Sequence, residues 1–334
     1  MKRRTLSLLL AITLFITLFA GCSSGDAPSG SSVPPAGGTT VSKNPEDYDY
    51  DFGPVVSAAI TADEYGPILT RVLKEGVLKV GLNATDPPWQ FHKIVDGQDQ
   101  IFGFDKAVCQ WIGDELGRIF GVEVRVEFED TTWDGCLTGV TAGQYDLIPG
   151  CAATDERRKN MDFSPPYHKS RQVIVVHKDN LDDPMFSAEN ALAGVQVGVL
   201  KGSMGAITLV NHYPNAGDNL YELGSNNDVL LSVLNKKCDA ANFNEKYAIL
   251  MCKANPDLAI VDALTFELTD EEDAGSCIAL TKGNEDFLEL LNEFIPRIKS
   301  DGTFSQMELD ALNALDDPDL LSQFELLNQV SAEQ

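Results

Sequence analysis

Two short apolar runs, VLKVGL at 77–82 and GVQVGV at 194–199, constrain this chain more than any other feature. Each is strand-length and rich in β-branched residues. The first runs into Asn83-Ala84-Thr85-Asp86-Pro87-Pro88 and the second into Lys201-Gly202-Ser203-Met204-Gly205, loops of small or polar residues. Helical patterns follow both. Lys106 to Phe120 places Val108, Trp111, Ile112, Leu116 and Ile119 on one face behind the cap Asp105, and Asn226 to Leu234 follows the second start. Strands alternating with helices specify an α/β protein with mostly parallel sheet. Two such starts specify two similar α/β lobes. A leading helix is expected over 62–74, strands over 122–128 and 172–177, and amphipathic helices over 284–299 and 304–315.

The stretch from Thr131 to Tyr167 carries the chemistry. It reads as a helix, a turn at Ala142-Gly143, a strand from Tyr145 to Pro149, a loop of small residues, and then Arg157. Small residues after a strand let backbone N–H groups approach a ligand closely. An arginine beyond them offers a planar fork that matches a carboxylate. A carboxylate-binding site is therefore expected here.

The two ends and the charge set the setting. At 334 residues and 43% apolar content, the chain is long enough for two domains. Lys2, Arg3 and Arg4 precede an uncharged run from Thr5 to Ala20, a pattern of secretory signal peptides that is short for a membrane span. Gly21-Cys22 after it resembles a lipoprotein lipobox, with Phe19 where that motif prefers Leu. The resemblance implies a signal peptide over 1–21 and a lipid anchor on Cys22. Residues 22–60 are rich in Ser, Gly and Pro and read as a flexible tether. The net charge of −26 becomes −29 once the three basic residues of the signal are removed. Such acidity excludes nucleic acid and anionic lipid as partners and suits a soluble, monomeric extracellular protein. The six remaining cysteines permit disulfides in an exported chain, with Cys136–Cys151 the pair to test against free buried thiols. No C-x-x-C occurs, the four histidines show no ligand spacing, and the acidic loop at 269–273 lacks EF-hand spacing, so neither metal nor cofactor is expected. Cys151 near the loop has no histidine in reach by sequence and reads as structural rather than nucleophilic.

Thr154-Asp155-Glu156-Arg157 followed by Asp162-Phe163-Ser164-Pro165-Pro166-Tyr167 resembles the T-x-E-R…D-F-S-x-P-Y signature of family 3 extracellular solute-binding proteins, the polar amino-acid receptors of ABC transporters. Pro87-Pro88-Trp89, Gly103-Phe104-Asp105, Trp133-Asp134-Gly135, Gly198 to Ser203 and Asp301-Gly302-Thr303 extend the likeness over about residues 75 to 312. The resemblance implies two α/β lobes joined by two crossing strands, with the ligand in the cleft and a membrane permease as partner. Lobe 1 would be 76–175 plus 278–315, lobe 2 176–277, and 316–334 a tail. It also implies that Arg157 holds the ligand carboxylate with backbone donors around Gly150 and the Ser203-Met204 loop, and that Trp133 packs on the ligand. Four positions depart from the pattern. Asn244 and Asn83 stand where carboxylates are usual, Ala152 where a hydroxyl is common, and Asp86 where an aromatic is expected. Loss of an anion at an ammonium site costs about 1.5–3 kcal/mol. Either Asp86 supplies that charge from a new direction or the ligand carries no α-ammonium in the usual place. A cyclohexadienyl dehydratase-like enzyme, with Asp86 or Glu245 as acid, and a sensory module acting through a partner are the rival readings; the leading expectation is a receptor, not an enzyme.

Overall fold

The computed structural model describes residues 65–169, 171–266 and 275–317. The expected signal peptide, Cys22, the tether, the acidic loop and residues 318–334 of the tail lie outside them. Helix α1 (Pro67–Glu75) begins five residues later than the pattern predicts, because the fixed φ of Pro67 suits a first turn. It ends at Gly76, which adopts φ 66° and lies 2.8 Å, measured from where a Cβ would be, from the Glu123 carbonyl. Then follow β1 (Val77–Leu82), a three-stranded antiparallel flap of β2 (Thr85–Asp86), β3 (Gln90–Val95) and β4 (Gln98–Phe102), and α2 (Phe104–Phe120). Strand β5 (Arg125–Asp130), α3 (Trp133–Thr141), β6 (Leu147–Ala152), the single turn α4 (Asp155–Arg158) and β7 (Met161–Phe163) complete the first passage.

A second unit repeats the logic. It comprises β8 (Gln172–His177), β9 (Val197–Leu200), α5 (Met204–His212), β10 (Leu220–Leu223), α6 (Asn226–Leu234), β11 (Ala240–Asn244), α7 (Glu245–Ala254) and β12 (Leu258–Ile260). The chain then returns through β13 (Ser276–Thr281), α8 (Glu285–Ser300) and α9 (Thr303–Asn313). The first sheet has the order β5-β1-β6-β13-β7 and the second β10-β9-β11-β8-β12. In each, three parallel strands stand in the order second, first, third, and one antiparallel strand that has crossed from the other lobe lies beside them. The bridges His168↔Ser276 and Gln172↔Phe266 tie the two crossing segments together. The α/β architecture of two lobes is as the sequence predicts.

Boundaries differ where side-chain pattern and pairing disagree. Strand β8 pairs antiparallel with β11 and β12, so residues 172–175, expected in lobe 1, belong to the second sheet. Its run from Gln172 to Val176 is buried throughout, as a strand covered on both faces must be. The crossing is the segment before it. The half-exposed edge strand β10 has no apolar alternation and escaped the sequence reading.

Each sheet is covered on both faces. In lobe 1, Leu78, Val80, Ile112, Leu147 and Phe294 fill one side, while Trp133, Cys136, Val140, Ile148 and Cys277 fill the other. In lobe 2, Ile174, Val197 and Leu209 lie on one side and Val175, Val233 and Tyr247 on the other. Full burial of each such side chain contributes about 1.5–3 kcal/mol. Cys136 and Cys151 share one layer, but both are free thiols rather than a disulfide, and the residue opposite Cys151 across the sheet is Cys277. Helix α9 rests on lobe 1 through Phe304, Met307 and Ala311 and touches lobe 2 where Leu312 meets Leu250.

Candidate ligand-binding cleft

The loops after β1 and β6, the crossing segments and the N-terminus of α5 face one another around a cavity of about 160 Å³ between the lobes. All nine binding residues predicted from the sequence line it: Asn83, Asp86, Trp133, Gly150 and Ala152 with Arg157, and Ser203, Met204 and Asn244 from the second lobe.

Arg157 stands where the sequence places it, and the local structure explains how it is aimed. Thr154 caps the turn by accepting from the Arg157 N–H at 3.2 Å, which turns the side chain back over the end of β6. Nη1 donates to the Ala152 carbonyl at 3.0 Å, and Nη2 donates to the Gly202 carbonyl of the other lobe. The guanidinium lies 5.9 Å from the Trp133 ring centroid, and Trp133 Nε1 also donates to Gly202 O, at 3.3 Å. Two of five guanidinium N–H groups are spent in these bonds, so a carboxylate can still be gripped by two. Ala152 offers no hydroxyl; its carbonyl positions the arginine instead. Beneath, burial pushes the Cys151 thiol up to about 11 although Arg157 pulls it down, so it is a thiol and no nucleophile.

Helix α5 points its first turn into the cleft. Ser203 caps it, accepting from the Ala206 N–H at 3.1 Å, and the Met204 and Gly205 amides are first-turn donors. Such an N-terminus attracts an anion. Gly205 packs closely on two side chains: a Cβ there would lie 2.4 Å from Asn242 Oδ1 and 2.9 Å from Gln172 Oε1, so these would have to shift.

Gly150 and Asn83 also make hydrogen bonds within lobe 1. The Gly150 N–H donates to the Tyr167 hydroxyl at 2.7 Å, and Tyr167 in turn donates to Asp105 Oδ1 at 2.7 Å. Gln90 Nε2 donates to Asp105 Oδ2 at 3.0 Å, and Gln90 Oε1 accepts from the Asn83 N–H at 2.9 Å. A hydrogen-bonded chain thus runs under the cleft from the β1 loop to the β6 loop. Asn83 adds Nδ2 to Thr131 O at 2.7 Å and accepts from Thr85 at 2.7 Å, so its amide organises the loop.

Asp86 is half-buried and accepts from Asn244 Nδ2 of the other lobe at 2.8 Å. Burial pushes its carboxyl up to about 7, with the Asn244 bond opposing and Asp105 adding to the rise. Asp105, 2% exposed, is likewise raised to about 7 by burial, against its bonds from Tyr167 and Gln90. Trp89, Gln90, His168, Gln172 and Asn226 also face the cavity without a site role expected from sequence. Asp105 faces it too and is not the expected cap of α2: Gly103 holds that position, and Asp105 lies in the first turn, its carboxylate taken by Tyr167 and Gln90. Only Trp89 left a signal, as an aromatic in a proline-rich loop. His168 lies on a crossing segment, and no local pattern brings it to the cleft. Glu245, a candidate acid, is outside the cavity wall and accepts from Arg171 at 3.1 Å.

Two α/β lobes with crossed strands around a cleft, one wall bearing an arginine and the other a helix N-terminus, define a solute-binding protein. Residues 78–310 match the model of the bacterial extracellular solute-binding proteins, family 3, and the chain belongs to that family. It is similar to the L-cystine-binding protein TcyJ of Escherichia coli K12, with 30% identity over 72% of this chain and 84% of that one. Among solved structures, it is similar to the amino acid ABC transporter substrate-binding protein AbpA of Streptococcus pneumoniae bound to L-arginine. That likeness has 31% identity, covers 73% of this chain and 98% of AbpA, and has a TM-score of 0.64. The ancestral amino-acid-binding protein AncCDT-1, a precursor of cyclohexadienyl dehydratase, gives 29% identity over 72% and 98% with a TM-score of 0.59.

Proposed function

We propose that this chain is the receptor of an amino-acid ABC importer, tethered by a lipid on Cys22 outside the cytoplasmic membrane and monomeric. It binds one amino acid or a related carboxylate between its lobes and presents the closed form to a permease. The observation that carries the reading is Arg157, held by Ala152 O across from the N-terminus of α5, so both lobes offer donors to one anion. The named relatives, which bind L-cystine, L-arginine or other amino acids, support the same class of solute. Trp133 shields the carboxylate end and strengthens its hydrogen bonds by excluding water.

Arg157→Ala, assayed by calorimetric titration with the amino acid that most raises the melting temperature of the wild type, tests this. A loss of at least 100-fold in affinity with an unchanged fold by circular dichroism is expected. Affinity within threefold of wild type would refute the carboxylate assignment. The enzyme reading has less support, since of its two candidate acids Glu245 is committed to Arg171 away from the cleft. Incubation with prephenate or arogenate should release no product.

A further inference from the structure

Apart from the residues that face a carboxylate, two side chains lining the cavity carry polar atoms with no partner among the described residues, one on Asp86 and one on His168. Asn244 caps α7, its Oδ1 accepting from the Tyr247 N–H at 2.9 Å. That bond orients the carboxamide, so Nδ2 faces Asp86 and donates to its Oδ1 at 2.8 Å. A ligand ammonium or guanidinium carries only donors and would meet a donor at Asn244. Asp86 Oδ2, in contrast, has no hydrogen-bond partner among the described residues although the side chain lines the cavity. His168 supplies the second acceptor. Its ring lies on Trp89 with centroids 3.7 Å apart, and its Nε2 is buried with no partner among the described residues. Burial, helped by Lys246 and Lys299, keeps this imidazole neutral, which leaves one ring nitrogen with a lone pair.

We propose that Asp86 and His168 form the cation-recognising end of the cleft, accepting the N–H groups of a positively charged nitrogen on the solute whose carboxylate Arg157 holds. The solute is then a zwitterion or a cationic amino acid, and the negative charge that recognises it sits on lobe 1. Asn244 of lobe 2 acts through Asp86: closing the lobes brings its donor to Oδ1 and fixes Oδ2 toward the ligand. An unpaired carboxylate in a cleft is costly, and a cation beside it removes that cost. This inference rests on the proposed function.

The test uses the full chain in detergent and, as probes, the standard L-amino acids with L-cystine, each paired with its α-hydroxy acid and its decarboxylated amine. Titrations compare wild type, Asp86→Asn and His168→Phe. Asp86→Asn keeps the shape and the bond from Asn244, and His168→Phe keeps the stack on Trp89. The tightest-binding amino acid should lose roughly 10- to 100-fold in affinity in Asp86→Asn and about fivefold or more in His168→Phe. Its analogue without the cationic nitrogen should bind wild type and Asp86→Asn within threefold of each other. An amino acid that binds both variants within threefold of wild type overturns the inference and leaves the proposed function standing. If no amino acid and no α-hydroxy acid binds wild type, the proposed function falls and this inference falls with it. Should Asp86→Asn not fold, the analogue comparison on wild type and the His168→Phe titration still decide.

Discussion

At the scale of single residues, Asp86 ties affinity, protons and stability together. Its carboxyl is raised to about 7 mainly by burial, and a cation beside it would favour the ionised form. Binding at pH 7 should therefore release protons. Titrations in phosphate and Tris should give enthalpies that differ in proportion to the buffers' ionisation heats, and affinity should rise about tenfold from pH 5.5 to 8. Asp105 titrates nearby, so the control is Asp86→Asn, in which both effects should shrink. The stability effect has the opposite sense. A carboxyl with an unfolded-state value of about 3.9 and a folded value near 7 holds its proton longer in the native state, so stability falls as pH rises through that window. Asp86→Asn should melt at a higher temperature than wild type at pH 8 and at the same temperature at pH 4. Arg157 could be found from sequence because its motif is local. His168 could not, because its role arises only where two crossing segments meet.

At the scale of elements, the site depends on how loops are pinned to strands. Tyr167 joins β6 to α2 by accepting from Gly150 N–H and donating to Asp105. Tyr167→Phe leaves both groups buried without that partner and should cost about 1–3 kcal/mol in urea unfolding, with faster hydrogen exchange at Gly150. Gly205→Ala drives a Cβ into the Asn242 and Gln172 side chains and should cost about 1–3 kcal/mol while weakening ligand binding, because these two cavity-lining side chains must shift. Strands β1 and β9 were legible because each lies in a short, mostly apolar run rich in valine that leads into a loop of small or polar residues. Strand β10 was not, because an edge strand exposed on one side has little such signal. The start of α1 was set by one proline that periodicity ignores. For Asn83 and Gly150 the place beside the cleft is legible in the sequence, but which neighbour takes their hydrogen bonds is not.

At the scale of the whole molecule, helix α9 reaches across the two lobes. Lys246 of α7 pairs with Glu308, both largely shielded, and Asp316 and Asp317 just beyond α9 pair with Lys93 of lobe 1 at 2.7 Å and Lys253 of lobe 2 at 2.6 Å. The two surface pairs contribute little each, about 0–1 kcal/mol. The shielded one should matter more. Glu308→Ala should favour the open form, seen as a larger radius of gyration by small-angle scattering and a roughly three- to tenfold loss in ligand affinity. An unchanged radius and affinity would show that the Lys246–Glu308 pair does not set the balance between open and closed forms.

The exchange of strands between the lobes also fixes an order in time. All the strands of the second sheet lie within residues 172–260, so that lobe is complete as soon as its own stretch has been made. The first sheet is interrupted: until residues 276–281 arrive, β6 has no neighbour on one side and presents an open edge. Closing that gap joins residues more than a hundred positions apart, a slow kind of pairing. The lobe that is synthesised first is therefore the one that finishes folding last, and a chain cut short after β12 would have one finished lobe and a first half unable to assemble the arginine's wall of the cleft.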